Sequence, residues 1–112
     1  MKPEAIHTEI VDRKILDEIE IIQENSDSYP KGKSNIYAKN NEGDIIWYAE
    51  LPITGDIYLN SIQWDKGINK NGKTWNDVLT LSNNSFVVSS WNCYIVSIDY
   101  KYGKIISKEF TK

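Results

Sequence analysis

One cysteine, Cys93, is all this chain carries, so no internal disulfide can form and no cysteine cluster can hold zinc. One histidine, His7, leaves any metal site to carboxylates, and no motif groups them for that task. Of thirteen basic residues only Arg13 is arginine. Nucleic-acid readers rely on arginine forks along a basic stripe, so that class is disfavoured. No run approaches the roughly 18 apolar residues of a membrane span. Nor is there a nucleophile elbow, a phosphate-cradling glycine loop or a histidine set against a nucleophile and an acid. The first residues, MKPEAIHTEI, lack the continuous apolar segment of a secretory signal. The expectation is a soluble cytoplasmic protein with no catalytic residues, no cofactor, no metal and no direct contact with nucleic acid or membrane.

What the chain does have is β pattern. At 112 residues, with 40% hydrophobic and 26% charged residues, it is long enough for one core, and residues 1–112 read as a single domain. The clearest stretch is SFVVSSWNCYIVSIDYKYGKIISKEF, residues 85–110. Three runs of Val, Ile, Tyr and Phe are split there by two turn signals. Tyr94, Val96 and Ile98 share one face of the middle run, and Ile95, Ser97 and Asp99 share the other. A turn at Gly103 would set Asp99 opposite Lys104 and Ile98 opposite Ile105. The prediction is a three-stranded meander.

Residues 4–12 alternate like a strand. In residues 13–24, Ile15, Leu16, Ile19 and Ile22 match a helical stripe while Glu18 to Ile21 alternate. Arg13 and Lys14 would oppose the dipole at a helix start, which favours strand. Residues 25–34 form a loop, and residues 35–50 a second hairpin turning at Gly43. Gly43-Asp44-Ile45-Ile46 aligns with Gly103-Lys104-Ile105-Ile106, a weak repeat that two independent hairpins would also produce. Residues 56–64 and 75–81 read as further strands, with a polar loop over 65–73 between them. The fold class is therefore all-β: an antiparallel sheet system of about seven to nine strands with little helix, as a β-sandwich or curled half-barrel.

Charge is uneven. Residues 1–30 carry eight acids and three bases, whereas residues 31–112 carry eight acids and ten bases. Asp17, Glu18, Glu20, Glu24 and Asp27 fall within eleven residues with no base among them. Such a run is a solvated face or a field that attracts a cationic partner. An acid–base hydrolase would also have to draw on Asp17, Glu18 and Glu20. Of the four tryptophans, Trp64 and Trp75 flank the polar loop and are candidate interface anchors, with core packing as the alternative. Exposed aromatics of this kind also suit a domain that binds a carbohydrate or other small ligand.

Two local patterns resemble known families. The hairpins at 35–50 and 94–109 are similar to the strand–turn–Gly–strand units of quinoprotein-like propeller blades, although the chain is too short for such a propeller. Trp47-Tyr48-Ala49-Glu50-Leu51-Pro52 forms the second pattern with Ser90-Trp91, Ile98-Asp99, Gly103-Lys104-Ile105 and Phe110-Thr111-Lys112. It resembles small bacterial immunity proteins of toxin systems, including contact-dependent growth inhibition. That resemblance implies a non-enzymatic protein that blocks a cognate toxin domain, often a nuclease. Nucleases of this kind are commonly cationic because they bind phosphate. The toxin-binding residues expected on this reading are Asp17, Glu18, Glu20, Glu24, Asp27, Trp64 and Trp75.

Overall fold

In the computed structural model, residues 7–30, 32–64 and 79–110 are described. They contain seven strands and no helix, in two antiparallel sheets. Strand β1 (Ile10–Leu16) turns at Asp17 and Glu18 into β2 (Ile19–Glu24). Both turn residues have positive φ, 49° and 66°. That is the geometry of a two-residue hairpin whose twist matches its strands. The chain therefore breaks at Asp17, not near Arg13. The helical stripe of Ile15, Leu16, Ile19 and Ile22 is divided by the turn, and Ile15 ends up 64% exposed.

Strands β3 (Ile36–Lys39) and β4 (Ile45–Tyr48) complete the first sheet in the order β1-β2-β3-β4. Ile21, Ala38 and Trp47 lie in register across β2, β3 and β4 and face the core. Ile22, Tyr37 and Tyr48 form the neighbouring row, which alternation turns to the opposite face. Ile22 and Tyr37 are nevertheless fully buried. This second face also buries the Glu24 carboxylate, which accepts hydrogen bonds from the His7 and Thr8 amides and the Tyr37 hydroxyl.

The predicted meander forms the second sheet: β5 (Ser85–Ser89), β6 (Tyr94–Asp99) and β7 (Ile105–Phe110). Ile98 pairs with Ile105, and the Asp99 amide donates to the Lys104 carbonyl, as the turn at Gly103 requires. Phe86, Val88, Val96 and Ile98 face the same core as the first sheet. Residues 56–64 do not form the expected strand; they make two isolated bridges to this sheet, Tyr58 to Ser90 and Gln63 to Val87. On the segment's other side, Asn35 and Gln23 of the first sheet's chain take up three more of its backbone groups. Asn35 Nδ2 donates to the Tyr58 carbonyl, the Tyr58 amide donates to Asn35 Oδ1, and Gln23 Nε2 donates to the Asn60 carbonyl. Thus the segment ties one sheet to the other instead of extending either. Residues 79–81 form no strand, and the predicted loop at 65–73 and Trp75 lie outside the described residues.

Trp47 joins the two hairpins of the sequence repeat. Its indole Nε1 donates to the Tyr100 carbonyl, and its ring packs on Gly103, where a Cβ would sit 2.6 Å from Cδ2 and Cε3. The two turns are not identical. The Gly43 amide donates to Asn40, whereas the Gly103 amide donates one residue further back, to Asp99. They close independent hairpins, one in each sheet.

Candidate binding surface

The β1–β2 hairpin combines accessible charge with accessible apolar surface. β1 is an edge of its sheet. Ile15 is 64% exposed and Val11 47%. Glu9, Asp17 and Glu18 are exposed around them, and Asp12 and Glu20 are half-buried. Two bases oppose these five acids, and both are engaged: Arg13 pairs with Glu20 at 2.8 Å, and Lys14 Nζ lies 5.5 Å from the centre of the Trp64 ring. The hairpin thus presents a net negative field around two aliphatic side chains.

The acidic run predicted as one surface is divided by the fold. Glu24 is fully buried and holds the chain leading into β1, so it offers a partner nothing. That corrects its place among the expected contact residues: a strand's alternation puts it on a covered face, and linear spacing could not show the cover. Asp17 and Glu18 sit at the hairpin tip. Asp17 Oδ2 accepts from the Tyr100 hydroxyl at 2.8 Å, and Asn84 Oδ1 lies 3.0 Å from the same hydroxyl. The hydrogen bond to Asp17, burial and the nearby charges of Asp17 and Asp99 all raise the Tyr100 pKa. Asp27 is exposed beyond the other end of β2, about 20 Å from the tip at the rise of an extended strand. Trp64 is half-buried, edge-on to Phe86 at 5.4 Å, and Lys14 brings it beside β1. Trp75 lies outside the described residues.

Sequence reasoning missed Ile15 as a surface residue, because it reads as one more position of an apolar stripe, and it did not single out Val11, which alternation sets on one face with His7 and Glu9. It also missed the exposure of Trp91 (67%), Tyr102 (69%) and Phe110 (56%), which stand at strand ends and turns. Cys93 is exposed in the turn before β6, at φ 68°. An open depression of about 500 Å³ lies elsewhere, lined by Tyr48, Leu51, Pro52 and Ile53 among others. Among the described residues no group of three or more His, Cys, Asp or Glu could hold a metal, and no helix is long and apolar enough to cross a membrane. No family model, curated protein or solved structure matches the chain.

Proposed function

We propose that this chain is an immunity protein that binds and neutralises a cationic toxin domain, a nuclease in the simplest case. It acts by occupying a surface and not by catalysis. One observation carries this reading beyond the sequence resemblance: the acid-rimmed, partly apolar edge of the β1–β2 hairpin. Negative charge at the tip steers a basic partner into contact, and Ile15 and Val11 supply area to desolvate.

The experiment is co-expression with the protein encoded beside this gene, followed by growth and binding measurements at low and physiological salt. Neutralisation predicts that cells survive and a complex forms. Glu18→Lys should slow association several-fold and flatten its salt dependence. Asp27→Lys, about two and a half Debye lengths away at physiological salt, should change it little. Cell death with no complex at low salt overturns the reading.

A second reading, a domain that binds a carbohydrate or other small ligand, would place the ligand in the open depression beside the exposed Tyr48 ring. Saturable binding of a carbohydrate that Tyr48→Ala abolishes would favour it.

A further inference from the structure

The β1 edge has a feature that charge steering does not use. Asp17 and Glu18 make a two-residue loop, and Leu16 pairs with Ile19. In such hairpins the residues flanking the loop exchange hydrogen bonds, and bonding then alternates along the strand. Lys14, opposite Ile21, therefore turns its backbone toward β2, whereas Arg13 and Ile15 turn their N–H and C=O groups outward. Among the described residues no backbone group pairs with them. Exposed apolar edges invite pairing with another chain, and proteins usually blunt them. Here a register shift between Ile10 and Asp12 interrupts only the start of the strand. The side chains of Arg13 and Ile15 share the outer face, where Ile15 is 64% exposed.

We propose that the free edge of β1 is a strand-addition site that takes an extended cationic segment of the partner, pairing backbone to backbone at Arg13 and Ile15. This rests on the neutralisation reading and specifies how the contact is made. Main-chain hydrogen bonds would supply affinity, and alternate side chains would supply selectivity. The occupant's charge follows from the rim. Glu9, Asp12, Asp17 and Glu18 surround the edge once Glu20 is paired with Arg13, and the one remaining base, Lys14, lies over the Trp64 ring. A segment alternating lysine or arginine with aliphatic residues matches both the acids and Ile15. A second copy of this chain does not, since it would set two net-negative hairpins side by side.

The test uses the full chain and two synthetic peptides, one alternating Lys with Val and one alternating Glu with Val. Amide shifts are followed by NMR. The Lys/Val peptide should bind, with the largest shifts at Arg13 and Ile15, and the Glu/Val peptide should not. Ile15→Pro removes one outward N–H and no ladder bond, so it should weaken peptide binding at least tenfold with little change in melting temperature. Ile15→Thr, which keeps the N–H, should weaken it less. Shifts centred elsewhere, or unaltered binding by a folded Ile15→Pro, overturn the proposal. So does a concentration-dependent dimer that Ile15→Pro dissolves, because the occupant is then a second copy. Ile15→Pro introduced into the co-expressed pair separates the two ideas. A complex that survives it but remains sensitive to Glu18→Lys keeps neutralisation and removes strand addition.

Discussion

At the scale of single residues, two glycines with nearly the same φ do different work. Gly43 (φ 85°) has open space where a Cβ would stand, whereas Gly103 (φ 74°) has the Trp47 ring there at 2.6 Å. Gly43→Ala should therefore cost only backbone strain, about 1 kcal/mol. Gly103→Ala adds a clash with a buried indole and should cost about 2–4 kcal/mol. Urea midpoints of the two variants, measured side by side, check the difference; equal shifts would mean the indole yields freely. Glu24 is the other decisive residue. Its carboxylate accepts from the His7 and Thr8 amides and the Tyr37 hydroxyl, all from inside a covered face. Glu24→Ala strands those donors and should destabilise by about 2–4 kcal/mol. Amide exchange at His7 and Thr8 should quicken more than exchange in β6. If the midpoint stays put, water replaces the carboxylate and the face is wetter than its burial implies.

At the scale of elements, the most legible parts were those where pattern and turn chemistry agree. In residues 94–110 the alternation and Gly103 point to the same hairpin, and the pairing beside the turn came out as read, whereas the bulge between Ser97 and Ile98 that shifts the register beyond it carries no local signal. The β1–β2 hairpin was less legible because its turn residues, Asp17 and Glu18, are not the Asn-Gly or Asp-Gly that such loops favour. Glutamate at φ 66° is uncommon, so nothing in the sequence marked the break. Residues 56–64 alternate well yet form only bridges, because Tyr58 and Gln63 are five positions apart where their partners Ser90 and Val87 are three apart, so the pairing with β5 slips between them, while Asn35 and Gln23 hold the segment's other side from the first sheet. Long-range side-chain bonds of that kind leave no local signal. The candidate surface was half visible: the acids were, but the burial of Glu24 and the exposure of Ile15 were not. Strain at Glu18 also yields a prediction. Glu18→Gly relieves the positive φ while leaving the Asp17–Tyr100 hydrogen bond in place, and should stabilise the protein by about 0.5–1 kcal/mol. Thermal unfolding measures it, and a lower melting temperature would show that the Glu18 side chain contributes more than its backbone costs.

At the scale of the whole molecule, three tyrosines link the parts of the fold, and their protons should set its alkaline limit. The Tyr58 hydroxyl donates to the Glu50 carbonyl, while its backbone bonds to Asn35 and bridges to Ser90. The Tyr100 hydroxyl joins the β6–β7 turn to Asp17 at the β1–β2 turn. The Tyr29 hydroxyl donates to the Ser34 carbonyl within the 25–34 loop. Burial, followed by the charge of Glu24 and by Tyr48, pushes the Tyr29 pKa up to about 12. Burial, then Asp56 and Glu50, raises Tyr58 further still, and the hydrogen bond to Asp17 raises Tyr100. In each case the folded state holds the phenolic proton more tightly than the unfolded chain, whose tyrosines titrate near 10. The folded state therefore binds more protons once the pH passes about 10, and stability must fall with rising pH from there. The contribution is complete below the unfolded value and is lost progressively as pH climbs toward the folded ones, which for Tyr29 means the window from about 10 to 12. Urea midpoints measured from pH 8 to 12 should be insensitive to these tyrosines up to about 9 and then drop. Tyr29→Phe should flatten part of that drop, and ultraviolet titration should show the native protein's phenols ionising later than those of the urea-unfolded chain. Coincident native and unfolded titration curves would mean that water reaches these hydroxyls, and the links they make between sheets and turns would then be open to solvent.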